Sequence, residues 1–530
     1  MKTKTKKYLP LWLGLACALG VILGARLDFS DNPGNPFTSN ENKEKLVRLL
    51  DYIEYEYVDE VDMDSIVEVT VNGILKNLDP HSVYIPEAEY AYLTESMQGD
   101  FVGIGVSFYN INDTIAVIQA IPGGPSEKAG IEGGDRILYA DGQPLFNKQI
   151  NNDSLSEKLK GAENTQVSLT IYRKGEPQLL EFNIERGRVP LESVEAAYML
   201  NNELGYIKIN RFSESTYREF KNSLIELKSQ GATELVLDLR NNPGGYLDQA
   251  TRIADEFLKE DKLILITKNK NGATEKTFAT ENGIFENGRI FVLLNENSAS
   301  ASEIVAGALQ DNDIGTIVGR RSYGKGLVQR EMALGDGSAV RLTIARYYTP
   351  TGRSIQKPYE DGNKAYFNDY LNRYQHGELV SADSISVVDS LAYETPGGNI
   401  VYGGGGIIPD VFIPKDTNYE KETLNLLLRS GIMSRYVFQV LEKDREFYNS
   451  LNPEEFNEQE LITNKMIKEF HSFVKNDHFE VHISTYIPVL KQYLKATMAQ
   501  QLFGTSAYIK ILNEGDPAIE KVKKLSLGKK

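Results

Sequence analysis

Between Glu192 and Gln356 the chain alternates two textures. The stretches "LGYIKIN", "ELVLDLR", "GRIFVLLNE" and "GTIVGR" are short apolar runs of strand length. Between them, "STYREFKNSLIELKSQ", "LDQATRIADEFLKE" and "SASEIVAGALQDN" repeat apolar residues at every third or fourth position, the period of an amphipathic helix. This alternation restricts the region to a βα-layered core.

The flanks have other periods. Residues 41–98 contain "EKLVRLLDYIEYEYV" and "DSIVEVTVNGILKNL", both with helical spacing, and then a turn, "DPHSVY". Residues 99–190 switch to short strands: "FVGIGVSFYN", "TIAVIQAI", "DRILYADG" and "QVSLTIYRKG". Two short helices, "PSEKAG" and "NDSLSEKLKG", interrupt them, which fits a small β-barrel. The layered core spans 191–356. Residues 357–402 are tyrosine-rich and polar without a clear period, and read as an insertion. Residues 403–416, with "GGGGIIPDVFIP", return to the core. Residues 417–530 keep helical spacing and read as a separate helical region. The expected fold class is therefore multidomain α/β.

Lys2, Lys4, Lys6 and Lys7 precede an apolar run from Leu9 to Ala25. Residues 1–27 read as a signal peptide or signal-anchor that exports the remainder and ties it to the membrane. The Pro/Gly-rich stretch 28–40 reads as a linker. A net charge of −16 repels nucleic-acid phosphates and argues against a nucleic-acid partner. A single cysteine, Cys17, leaves neither an internal disulfide nor a Cys-pair zinc site. None of the five histidines lies near the serine-rich stretch in sequence, and no HExxH occurs, so metal-dependent hydrolysis is not expected.

"ENSASASEIVAG" places three serines where a strand gives way to a helix. Backbone N–H groups at a helix start are unpaired and carry partial positive charge. Ser300 there could attack a carbonyl while the Ala301 N–H holds the oxyanion. Ser300 and Glu303 also fit the S-x-x-E capping box, and this stretch alone leaves both readings open. A nucleophilic serine needs a base. Lys325, between two glycines in "GRRSYGKGLVQ", is a candidate once dehydrated. Lowering a lysine from a reference near 10.4 to about 7.5 takes roughly 4 kcal/mol of destabilisation of the charged form. On a strand, Gln329 would share the Lys325 face and orient the amine. The same stretch matches G-x-x-x-x-G-K, but Gly326 stands where a phosphate loop needs Ser or Thr. In "DLRNNPGGYL" the glycines could aim N–H groups into a site, or simply turn the chain.

Taken in order, "LDPHS", "GIGV", "DLRNNPGG", "SASASEIVAGALQD", "GKGLVQ", "TPTGRSIQ" and "GIIPD" resemble the carboxy-terminal processing, or tail-specific, proteases. "GGPSEKAGIEGGDRIL" and "DGQPL" resemble the PDZ domain that such proteases carry. The resemblance implies a serine endopeptidase with Ser300 as nucleophile, Lys325 as base and Gln329 beside it. It implies an oxyanion hole of Ala301 with Gly244 or Gly245. It implies a PDZ loop, Gly103, Ile104, Gly105 and Val106, that holds the free C-terminus of a protein or peptide substrate. No metal or cofactor is implied. An exported enzyme of this kind would be periplasmic. A homo-oligomer is left open, as are a non-catalytic PDZ scaffold and, on the G-x-x-x-x-G-K match, a nucleotide-dependent enzyme. The insertion 357–402 separates "GRSIQ" from "GIIPD", which the family places close together.

Overall fold

A computed structural model describes residues 41–111, 113–146, 152–476 and 486–528. The expected signal segment and linker lie outside the described residues. Among the described residues no helix is long and apolar enough to cross a membrane.

The chain divides into two compact units, one ending at Ile74 and one starting at Leu75. In the first, helix α1 (Glu41–Glu56) opens with Glu41 and Glu44, charges that suit the positive end of a helix. It buries no residue and leaves Val47, Leu49, Tyr52 and Tyr55 exposed. Helix α2 (Met63–Leu75) follows.

The second unit starts with a correction. The expected turn "DPHSVY" contains a strand, β1 (Val83–Ile85), and leads to helix α3 (Glu87–Gln98). Then comes the small barrel, with β2 (Asp100–Gly103), β3 (Val106–Ile111), β4 (Thr114–Ala120), helix α4 (Pro125–Ala129) and β5 (Arg136–Ala140). Helix α5 (Asn152–Leu159), β6 (Gln166–Tyr172), β7 (Leu180–Glu185) and β8 (Gly187–Pro190) complete it. The sheet runs β3-β4-β5-β6-β7. In β6 the alternate residues Val167, Leu169 and Ile171 point into the barrel core, the period-two signature of a half-buried strand. β2 pairs antiparallel with β8, so Asp100 sits opposite Pro190. The barrel thus leaves the body and returns to it at one place, as inserted domains do.

The layered core contains β9 (Val194–Met199), β10 (Leu204–Ile209), α6 (Thr216–Ser229), β11 (Glu234–Asp238), α7 (Leu247–Asp255), β12 (Leu263–Asn269) and β13 (Thr274–Phe278). It continues with β14 (Arg289–Leu294), α8 (Ala301–Asp311), β15 (Gly315–Gly319), β16 (Leu327–Ala333) and β17 (Ala339–Tyr348). The insertion is a packed segment with helices α9 (Asn363–Phe367) and α10 (Asp369–Gln375), and the short strand β18 (Val411–Phe412) returns the chain to the core. The main sheet has the order β9-β10-β11-β14-β15-β18 and is parallel from β10 onward. One face, with Leu235, Leu237, Ile290 and Val292, packs on α6, α7 and α8. A second sheet joins β1, β17, β12 and β13, with β16 paired to β17.

The other face of the main sheet corrects a second expectation. Val236, Phe291, Leu293 and Val318 are covered by Ile509, Ala518, Ile519 and Val522. These come from α13 (Thr505–Leu512) and α14 (Pro517–Leu527), after α11 (Ile432–Lys443) and α12 (Ile487–Phe503). The C-terminal helices therefore are not wholly separate, because strands apolar on both faces need a second cover. Asp516 starts α14 by accepting from Ala518 and Ile519 N–H at 2.9 and 3.1 Å, with Pro517 at the first helical position. Its other oxygen accepts from Arg240 at 2.9 Å. Helices α11 and α12 have their own core. Phe438 of α11 is buried against Ile111 and Ala116 of the barrel.

Candidate active site

Strand β14 ends inside the main sheet, and the turn that follows delivers the serines to the start of α8. Ser298 and Ser302 are fully buried and spend their hydroxyls on carbonyls, of Leu239 at 2.8 Å and Asn242 at 3.0 Å. Ser300 differs. It is half-buried, caps α8 without a side-chain hydrogen bond, and has φ 54° and ψ −113°. That conformation is unfavourable for a serine and persists only where neighbours over-determine it. Here they do. Ala299 N–H donates to Asn242 O at 3.0 Å, and Ser300 N–H donates to Glu303 Oε2 at 2.8 Å. The Glu303 half of a capping box is thus present, while Glu303 N–H closes on the Ser300 carbonyl at 2.8 Å.

The glycine turn after β11 presses on this point. A Cβ on Gly244 would lie 2.8 Å from Ser300 Cβ and 2.9 Å from Ala301 N. On Gly245 it would lie 2.2 Å from the Phe212 carbonyl oxygen. Both glycines have positive φ, so close approach and backbone shape both exclude a side chain. Gly244 N–H donates to Asn242 Oδ1 at 2.8 Å. The N–H groups of Gly245 and Ala301 have no partner among the described residues.

Lys325 comes from the loop between β15 and β16. Gly326 leads into a strand and not a helix, so the G-x-x-x-x-G-K stretch lacks the setting of a phosphate loop. The loop is held by one carboxylate. Glu303, fully buried on α8, accepts from Ser322 Oγ at 2.5 Å, Gly324 N–H at 2.7 Å and Lys325 N–H at 2.9 Å, besides Ser300 N–H. Burial raises its pKa, against the pull of these hydrogen bonds. A single side chain therefore ties the serine turn to the lysine loop.

The Lys325 ammonium donates to Gln329 Oε1 at 2.7 Å, although Lys325 lies in the loop before β16 and not on the strand face expected for it. Gln329 Nε2 in turn donates to the His81 carbonyl at 2.5 Å. Burial pushes the Lys325 amine down to about 8; Arg341 adds to the fall, while Glu303 and Asp79 oppose it. His81 is the residue that sequence reasoning missed. Far away in the chain, it is brought beside Lys325 because Asp79 accepts from His81 N–H, Ser82 N–H, Ser82 Oγ and Thr343 Oγ1 of β17. Burial, and then the Lys325 charge, push the imidazole down to about 4. The Asx-type pattern in "LDPHS" was the available signal for this anchored turn.

The loop Gly103–Val106 belongs to the barrel. Gly105 has φ 76°, and Ile104 is buried in the barrel core. The Ile104 and Gly105 carbonyls are taken by Ser126 and Ile121 N–H groups at 2.8 and 2.9 Å. The Ile104 and Gly105 N–H groups have no partner among the described residues. Among the described residues, strand β3 lies at the edge of its sheet and pairs only with β4.

Comparison with known proteins gives three family matches. The model of peptidase family S41 matches residues 203–361, the PDZ domain model matches 102–184, and a family of unknown function matches 423–504. A carboxy-terminal-processing protease of Bartonella bacilliformis is 37% identical over 331 residues, covering 60% of this chain and 75% of that one. The carboxy-terminal processing protease CtpB of Bacillus subtilis is 34% identical over 353 residues, covering 64% and 72%. Among solved structures, a photosystem II D1 C-terminal processing protease is similar at 25% identity and a TM-score of 0.36, covering 71% of this chain and 94% of that one.

Proposed function

The chain belongs to peptidase family S41, the carboxy-terminal-processing serine proteases, and we propose that its reaction runs through a Ser300–Lys325 dyad. The observation that carries this reading is the four-donor clasp of Glu303, which fixes both turns to one carboxylate. Lys325 is the base. Its neutral amine, held by Gln329, takes the Ser300 Oγ proton as Oγ attacks the scissile carbonyl. The oxyanion is held by the N–H groups of Ala301 and Gly245, neither of which has a partner among the described residues; Gly244 contributes by lacking a side chain. The protonated lysine then gives its proton to the leaving amine, leaving an acyl-enzyme on Ser300. A water molecule, deprotonated by Lys325, attacks the ester and releases the new C-terminus.

Substrate selection is assigned to the PDZ domain. The free N–H groups of Ile104 and Gly105 suit a terminal carboxylate, with Gly103 and Val106 shaping the loop, and the edge of β3 suits an added strand. Cleavage would then fall near a substrate's C-terminus. Export and membrane attachment are proposed from the lysines and the apolar run at the N-terminus, which would place the enzyme in the periplasm. The test is hydrolysis of an unstructured protein tail, with its C-terminus free or amidated, by wild type and Ser300→Ala. Loss with Ser300→Ala and slowing by amidation are expected. Equal rates for free and amidated tails would remove the PDZ loop from recognition.

A further inference from the structure

The segment 357–402 takes no part in the chemistry above, and most of it lies between the matched spans 203–361 and 423–504. Yet it touches the loop that carries Lys325 and, separately, His81, the anchor of Gln329. Arg373 of α10 is only 4% exposed, an unusual place for a guanidinium. It donates to three successive carbonyls, Nη1 to Arg321 at 3.4 Å and Ser322 at 2.8 Å, and Nη2 to Tyr323 at 3.3 Å. These residues run directly into Gly324 and Lys325. Its charge is balanced by Asp369 at 2.9 Å and Glu378 at 3.8 Å. Lys357 N–H donates to the next carbonyl, Gly324, at 3.0 Å. The Lys357 ammonium lies over the Tyr323 and Tyr366 rings, 3.8 and 4.2 Å from their centres.

The second contact is made by Tyr366 of α9. Its hydroxyl lies 2.7 Å from His81 Nε2, and the His81 carbonyl is the acceptor for Gln329. A planar donor fork aimed at consecutive main-chain carbonyls fixes the path of a loop, something a surface ion pair cannot do. We propose that Arg373 and Tyr366 are positioning residues for Lys325, and that the inserted segment braces both the loop carrying the lysine and the anchor of the glutamine that orients it. This rests on the reading of Lys325 as the base.

The brace has a consequence that stability alone does not. Lys325 is kept dry by its packing, and dryness lowers its pKa. The charged and titratable groups that face it are Arg341 from β17, Glu303 from α8, and Asp79 and His81 from the turn before β1. Of the segment 357–402, Lys357 acts on His81 and the Tyr366 hydroxyl touches it, and neither Tyr366→Phe nor Arg373→Lys removes a charge. Loosening the brace therefore changes hydration at Lys325 without removing a facing charge. Its pKa should rise, and the acid limb of kcat/KM should move to higher pH.

The experiment uses the full chain with Tyr366→Phe, Arg373→Lys and, as a reference, Lys325→Met. The kcat, KM and pH profile are measured on an unstructured peptide with a free C-terminus. The rate of Ser300 labelling by a fluorophosphonate probe is followed in parallel. Tyr366→Phe and Arg373→Lys are expected to lower kcat about 10-fold or more, since small displacements of a reacting group cost this much or more. KM should stay within about twofold, with the acid limb raised and labelling slowed. Folded variants with wild-type kcat and an unmoved limb would overturn the proposal, as would an effect confined to KM. If Arg373→Lys fails to fold, Tyr366→Phe, which loses one hydroxyl, decides alone. An active Lys325→Met would sink the base reading and the brace with it; an inactive one beside unaffected brace variants sinks only the brace.

Discussion

Ser300 and Lys325 reach the same carboxylate from turns that are held in different ways. The serine turn is tied to its neighbour in the main sheet: Ser298 to Leu239, Ser302 and Ala299 to Asn242, with Gly244 packed against Ser300 itself. Most of what it needs lies on α8 and in the turns just beyond β11 and β14, joined by the Tyr347 hydroxyl of β17 on the Ser300 carbonyl at 3.2 Å and the Tyr323 N–H on the Ser298 carbonyl at 2.9 Å. The lysine loop is held by Glu303 on α8, His81 before β1, and Lys357 and Arg373 from the insertion. One turn inherits its shape from the βα architecture. The other is assembled from parts distant in the chain, so its geometry can be weakened by degrees.

The sharpest test removes one member from each side. Ser300→Ala and Lys325→Arg should both lose about 10⁴-fold or more in kcat while remaining folded by circular dichroism, because members of one catalytic unit fail together. Arginine keeps the charge but does not give up its proton. In the wild type, a Lys325 amine lowered to about 8 is protonated as pH falls. The kcat/KM should therefore decline below that value, by about tenfold per unit well into acid. A largely active Lys325→Arg enzyme, or a profile flat from pH 8 into acid, would reopen the search for a base.

Next in size is the joint between the turns. Glu303→Gln turns an acceptor of four hydrogen bonds into a group that must present N–H to some of those donors. We expect kcat to fall about 100-fold with KM little changed, read by steady-state kinetics. An unchanged kcat would mean that the two turns are positioned independently. Gln329→Ala removes only the orienting partner of the amine, and a loss of about 10-fold in kcat is expected. A loss as large as that of Lys325→Arg would give Gln329 a role in the proton transfer itself.

The smallest effect should fall on the serine side. Asp516→Asn weakens the tie from α14 to Arg240, which keeps its contacts with Asp238. Partly exposed pairs of this kind are worth about 1 kcal/mol or less. Because the serine turn is held locally, calorimetry should show a lowered melting temperature with kcat within about twofold. A large fall in kcat would break the comparison, since it would show the serine turn leaning on distant support as well.

The same contrast explains what was legible beforehand. The βα alternation, the barrel and the serine turn are built from neighbours in sequence, where period and turn chemistry speak directly. Gln329 was legible because it lies four residues beyond Lys325, on the strand into which the lysine loop runs. His81 was not, since its approach depends on the pairing of β1 with β17, a contact between residues far apart in the chain. The insertion shows no period because its task is done by single side chains, Arg373 and Tyr366, on two short helices. The helices covering the second face of the main sheet were readable as helices. Their partner was not, although "RIFVLL" is apolar on both sides of its strand.

That late cover has a consequence for how the protein comes into being. Phe291 and Leu293 are translated long before Ile519 and Val522, the residues that seal them. Until α13 and α14 arrive, the sheet beneath the serine turn has one oily face open to water. Such a face favours unfolding and sticking to other chains over a finished, rigid platform. Helix α14 thus acts as a seal of manufacture: a ribosome that stops before it, or a cut ahead of it in transit, leaves the sheet unfinished.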